Sequence, residues 1–473
     1  MTSTSPSTRS LESNAPADHG VADRAGAGGG GARETFKSRL GGLLTIVGVS
    51  IGLGHVWRFP YMVGKFGGAA FVLFYTLVSI VIGVPALMTE FSLGRYTRRG
   101  PVGAFERGGF PFGRAVGWFF FFVVTAATGY YSAVIGWVLY YTIGQVAQVA
   151  RIPFDAAAIL PPDHGFVLRS FLLQMACSAI VLLTCAVVLI KGVRKGIEVV
   201  STVILPAMTV VTILVMVRAL TLPGAMAGVR WYLLEFRFRD LTANVMAAAI
   251  GHAIFALSLG GTFMVVYGSY LHDEERLARP AWWTVIGDTG SSLIAGLAVI
   301  PAVFAFKLEP ASGPGLIFDT LPKVFAAMPA GWLFGALFFV SLLGAGYLSD
   351  VGALEVLVAG LTDNTRITRR QGVWVMSAVC FILAIPPSIN NAIFVPWDLT
   401  FGSGMQTLGS LLAVITVAWC MNRAAALKEL FGVGEQPVPM WVFHWIRFGI
   451  PVVILGVGVY WLLTQVFRIV AGV

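Results

Sequence analysis

The sequence predicts an all-α polytopic membrane protein, built as two five-span groups of inverted topology with broken helices 1 and 6, plus one additional helix. Three observations carry this. Of 473 residues, 57% are hydrophobic and only 12% charged, about half the charge of an ordinary soluble domain. Apolar runs of about 20 residues, long enough to cross a hydrocarbon core, recur eleven times from residue 40 onward. Two of those runs, five apart in order, are interrupted near their middles by glycine. Such a composition excludes a soluble enzyme, a fibrous protein and a disulfide-stapled secreted module.

The runs cover residues 40–64, 69–93, 115–149, 167–190, 197–218, 241–270, 282–306, 331–360, 372–389, 394–420 and 441–467. All are expected to be helices, because lipid offers no other partner for backbone polar groups. This divides a transporter-sized unit, 33–473, into repeats at about 40–218 and 241–420 and an extra helix at 441–467. Residues 1–32, rich in Ser, Ala and Gly, lack the apolar stretch of a signal peptide and read as a disordered cytoplasmic tail. The long polar segments 222–240 and 307–329 are expected to form short helices or turns over a vestibule.

The formal charge of +9 reports topology. With the N-terminus inside, 18 Lys and Arg of the polar segments share the cytoplasmic side, among them Arg33, Arg95, Arg98, Arg99, Lys191, Arg194, Arg366 and Arg369, whereas the opposite loops hold about seven. A nucleic-acid partner is not indicated. The expected setting is the cytoplasmic membrane, N-terminus inside and C-terminus outside. Cys177, Cys185, Cys380 and Cys420 all fall within apolar spans and show no C-x-x-C spacing, so neither a disulfide nor a transition-metal site is expected.

The interruptions are Ser50-Ile51-Gly52-Leu53-Gly54-His55 in the first span and Ser258-Leu259-Gly260-Gly261-Thr262 in the sixth. Backbone freed at mid-membrane is tolerated where it lines a cavity or is buried in protein. Glycine can also mark close helix packing, but matched breaks five spans apart favour a site between two broken helices.

The runs Gly52-Leu53-Gly54-His55-Val56-Trp57-Arg58-Phe59-Pro60, Gly67-Gly68-Ala69-Ala70-Phe71 and Glu90-Phe91-Ser92-Leu93-Gly94-Arg95 resemble the neurotransmitter:sodium symporters, in particular their bacterial members with eleven spans and a leucine-transporter-like fold. Lys195-Gly196-Ile197-Glu198, Leu222-Pro223-Gly224-Ala225 and Phe255-Ala256-Leu257-Ser258-Leu259-Gly260 extend the resemblance over about residues 33–465. It implies a secondary active symporter that moves an amino acid or a close analogue by alternating access, with no enzymatic activity. Leu53 and Gly54 would present backbone N–H groups to a substrate carboxylate, helped by the positive end of a half-helix, and Tyr131 would add its hydroxyl. The ammonium would meet Ser50, Phe255 and Ser258, while Ala127 and Ala353 line the apolar end. Where amine carriers keep an aspartate this chain has Gly52, which favours a substrate bearing its own carboxylate. Arg58 and Asp398 match an outer gate; Arg33 and Asp363, with Phe36 and Tyr270, match an inner one.

The ion sites depart from the family pattern. The second sodium site would use Gly48, Ile51, Ala345, position 348 and Ser349, but Leu348 removes an oxygen ligand that a hard cation wants. Asp350 could supply it through a one-residue shift, or could instead select a cationic substrate side chain. Sodium is nonetheless expected at this site. The first site is expected to be altered: His55 replaces Asn, Ala256 replaces Thr and Asp288 replaces Asn. His252 stands where chloride-requiring members keep Gln, Ser292 follows Asp288 by one turn, and chloride is not expected. Either a protonated His55, or a proton shared with His252 and Asp288, takes over the charge of the first sodium, or His55 donates a fixed hydrogen bond to Asp288. Two other functions are weighed: a non-transporting amino-acid sensor on the same fold, and an intramembrane serine hydrolase using Gly48-Val49-Ser50-Ile51-Gly52 with His252 as base.

Overall fold

A computed structural model describes residues 34–149, 152–308, 316–432, 439–461 and 463, within a compact unit spanning Arg33–Val473. The tail expected at 1–32, Arg33 of the inner gate and the far end of the extra helix lie outside the described residues.

Among the described residues nine helices are long and apolar enough to cross a membrane. They are Ala69–Thr97 (span 2), Gly113–Gln148 (span 3), Leu168–Ile190 (span 4), Val193–Leu220 (span 5), Ala278–Ala305 (span 7), Gly331–Asn364 (span 8), Arg369–Ser388 (span 9), Asn391–Cys420 (span 10) and Met440–Tyr460 (span 11). Span 1 is a bent pair, Arg39–Ser50 and Gly54–Phe66, whose halves meet at 48°. Span 6 is likewise in two pieces, Ala243–Ala256 and Phe263–Gly268. Spans 3 and 8 pack along each other through the middle of the molecule, and span 8 also meets spans 1, 4, 5 and 9. The segment 222–240 forms the short helix Ala225–Val229 and two further turns. The described part of the second long segment holds the short helix Leu321–Ala327.

Each break has its own cause. In span 1 the chain leaves helical geometry at Ile51, which is extended (φ −76°, ψ 93°). Gly52 is where the neighbours close in: a Cβ there would stand 2.7 Å from Tyr131 Oη and 3.0 Å from Ser349 Oγ, so those side chains would have to move. In span 6 Ser258 and Gly261 take left-handed conformations (φ +52° and +68°), and for a non-glycine residue that persists only when the surroundings hold it. The holder is Glu90 of span 2, whose Oε1 accepts from the backbone N–H groups of Gly260 and Gly261 at 3.0 Å each. Gly261 also sits so near span 10 that a Cβ would lie 2.6 Å from the Gly409 carbonyl oxygen.

The segment leading into span 1 is pinned to the start of span 5. Glu198 accepts from Lys37 N at 2.8 Å and from Ser38 N and Oγ at 3.2 and 3.1 Å. Glu34 accepts from Val193 N and Arg194 N, both at 3.1 Å.

Candidate functional site

A cavity lies where the two breaks face each other. It is lined by Ser50, Gly52, Gly54 and His55 from span 1, Ala127, Thr128, Tyr130 and Tyr131 from span 3, and Phe255, Ala256, Ser258 and Phe263 from span 6. Ser349 and Ala353 of span 8 and Gln406 of span 10 complete it. Thr128, Tyr130, Phe263 and Gln406 are additions that the sequence motifs did not single out. Tyr131 spans the gap between helices: its Oη accepts from Leu53 N at 2.9 Å, holding the unwound strand of span 1 against span 3. Leu53 itself is buried and contributes this backbone group, with its side chain packed into the core.

Asp350 does not line this cavity. Successive helical residues point about 100° apart, so with Ser349 and Ala353 facing the cavity, Asp350 turns toward spans 3 and 4. There it accepts from Ser132 Oγ at 3.0 and 3.1 Å and lies 3.9 Å from Cys185 Sγ, fully buried. The expectation that it faces a substrate side chain is corrected by this register.

The altered first ion position is a closed network. His55 Nε2 lies 2.6 Å from Asp288 Oδ1. Tyr75 Oη donates to Asp288 Oδ2 at 3.3 Å and pairs with Ser292 Oγ at 3.2 Å. His55 Nδ1 is 3.2 Å from both the amide nitrogen and the carbonyl oxygen of Gly52. His252 takes no part. Its ring packs among Phe59, Tyr75 and Phe71, and neither of its nitrogens has a hydrogen-bond partner among the described residues. The proton-sharing arrangement expected of His252 is therefore not assembled; instead it lines a second cavity with Arg58 and Lys65. Nor is the serine hydrolase arrangement, since Ser50 Oγ donates to Val47 O at 2.8 Å.

At the second ion position the side chains of Ile51, Ala345 and Leu348 form one apolar cluster with Val47, Leu205 and Met208. Gly48 abuts Leu348 and Ser201, whose buried hydroxyl has no hydrogen-bond partner among the described residues. Ser349 belongs to the substrate cavity's wall.

At one end of the cavity the Arg58 guanidinium lies 4.5 Å over the Phe255 ring, and Asp398 accepts from Tyr130 Oη at 2.7 Å. At the other end Phe36 packs edge-on against Tyr270. Tyr270 Oη donates to Glu355 Oε1 at 2.6 Å, and Glu355 also accepts a two-pronged bond from Arg369 at 3.0 and 2.6 Å. Asp363 accepts from Gly100 N at 2.6 Å. Glu355 and Arg369 belong to different spans, and no local spacing in the sequence marks them as a pair.

Comparison with known proteins fixes the lineage. The model of the sodium:neurotransmitter symporter family matches residues 33–155 and 169–467. An uncharacterized sodium-dependent transporter of Bacillus subtilis, YhdH, is 31% identical over 440 residues, covering 89% of this chain and 96% of that protein. A human sodium- and chloride-dependent creatine transporter is 24% identical over 489 residues, covering 90% and 76%. The crystal structure of MhsT in complex with L-phenylalanine superposes with a TM-score of 0.78 at 30% identity, covering 90% of this chain and 99% of that one. This protein is a multi-pass membrane transporter, not an enzyme, and it belongs to the sodium:neurotransmitter symporter family.

Proposed function

We propose that the chain is a sodium-driven symporter of zwitterionic amino acids with uncharged, mainly apolar side chains, working by alternating access across a cytoplasmic membrane with its N-terminus inside. The observation that carries this reading is the lining of the cavity. Among the described residues it contains no aspartate or glutamate, so an amine without its own carboxylate would find no counter-charge there. A zwitterion brings one. Its carboxylate has the Gly54 N–H and the Tyr131 hydroxyl proton, the Leu53 N–H being held by Tyr131 Oη, and its ammonium has Ser258 and the ends of both half-helices. Ala127, Ala256, Phe255, Phe263 and Ala353 leave an apolar wall for the side chain. MhsT, whose crystal holds L-phenylalanine, supports a substrate of this class.

Arg58 over Phe255 and the Asp398–Tyr130 bond serve as the outer closure; Phe36, Tyr270, Glu355 and Arg369 serve with Asp363 as the inner one. Gates of this kind open in alternation. The test is uptake of a mixture of labelled amino acids into proteoliposomes with sodium and proton gradients imposed separately. Accumulation of apolar amino acids under the sodium gradient is expected. Accumulation confined to cationic amino acids, or binding with no accumulation, would overturn the reading, the second outcome in favour of a sensor.

A further inference from the structure

In the motif match, the family's oxygen-bearing Asn, Thr and Asn fall at His55, Ala256 and Asp288. A hard cation takes oxygen ligands, and of these three residues only Asp288 carries side-chain oxygens. Both Asp288 oxygens are already engaged, Oδ1 with His55 Nε2 at 2.6 Å and Oδ2 with Tyr75 Oη at 3.3 Å. Ala256 presents a methyl group, and the imidazole occupies the space beside the break with its second nitrogen against Gly52. His55 is 1% exposed and Asp288 fully buried. A contact as short as that between His55 and Asp288 belongs to charge-assisted pairs. The ring donates Nε2–H to the carboxylate at 2.6 Å, and Nδ1 accepts from Gly52 N–H at 3.2 Å, so both ring nitrogens are held. The pair thus fills the space beside the substrate cavity with a ring and a carboxylate already bound to each other.

We infer that the His55–Asp288 pair is a resident substitute for a transported sodium ion: a hydrogen-bonded pair of side chains that fills the ion's place, stays through the cycle and is never released with substrate. This rests on the symporter reading above and deepens it. Its consequence is stoichiometric. The protein binds no more than one sodium, and that ion belongs to the other position, between spans 1 and 8.

The direct test is equilibrium dialysis of the purified full-length protein against ²²Na, with ²²Na and amino-acid fluxes measured in parallel in proteoliposomes. No more than one bound sodium per chain is expected, with a Hill coefficient of about 1 for sodium activation. The triple variant His55→Asn, Ala256→Thr, Asp288→Asn replaces the pair with neutral oxygen ligands and is expected to bind one sodium more. Two sodium ions on the unaltered protein would overturn the inference and leave the symporter reading standing. So would a folded triple variant, monodisperse on gel filtration, that gains none. If that variant does not fold, the count on the unaltered protein decides alone. One bound sodium without uptake of any amino acid would overturn the symporter reading, and with it an inference about its coupling.

Discussion

The two broken helices face one cavity, yet they are held open by different means. The break in span 6 is fixed from outside the site: Glu90, which does not line the cavity, caps the amide groups of Gly260 and Gly261, which do not line it either. The break in span 1 is fixed by the site itself, through Tyr131 on Leu53 N and through His55, anchored to Asp288 while it reaches back to Gly52. Damage to the first arrangement should therefore act on folding and function together. Damage to the second should strike binding and coupling directly, and the fold as well where it leaves a buried charge without its partner.

Glu90→Ala tests the first half of this contrast and carries the largest expected effect. It orphans two buried N–H groups at about 1–3 kcal/mol each, so a loss of thermal stability and a fall in uptake of more than about 100-fold are expected. A stable, active variant would show that span 6 holds its break unaided. His55→Ala comes next, since it leaves the Asp288 carboxylate buried without its closest hydrogen-bond donor, a situation costing about 3–5 kcal/mol. The double change His55→Ala, Asp288→Ala should recover part of that stability without recovering uptake; a thermal melt of both variants reads the difference. Arg369→Gln leaves Glu355 with Tyr270 alone and should cost about 1–3 kcal/mol. Because Arg369 is partly exposed, water makes up some of the loss. The informative readout is increased labelling, from the Arg369 side, of a cysteine placed at Ala353. Tyr131→Phe is the mildest. It removes the acceptor for Leu53 N and a donor for the substrate while leaving the ring, so apparent affinity should weaken about tenfold, roughly 1.4 kcal/mol, and the single orphaned N–H should cost about 1 kcal/mol of stability.

The sequence showed most of what is periodic or local. Hydropathy marked the spans because lipid demands long apolar helices, and the glycine runs marked both breaks because unwinding is a local backbone event. What stayed hidden depends on partners that sit on different spans. Tyr75 and Asp288 lie on different spans and meet only after folding, as do Glu355 and Arg369. Asp350 illustrates a second limit: its neighbour Ser349 faces the cavity, and one residue of helical rotation carries the carboxylate to Ser132 and Cys185 instead. The second ion position shows a third. Leu348 was legible as a lost oxygen, but not that it joins Ile51, Leu205 and Met208 in an apolar cluster, nor that the Ser201 hydroxyl lies close by.

The claim on which the rest depends is that the strand opened at Gly52 is where substrate sits. Gly52→Ala, compared with Gly251→Ala as a control at which an added methyl meets open space, tests it in a single assay of sodium-driven amino-acid accumulation. The account predicts that the methyl at 52, forced against Tyr131 and Ser349, lowers accumulation at least tenfold while the control matches the unaltered protein and both variants melt near its temperature. Equal accumulation by Gly52→Ala and Gly251→Ala would contradict it.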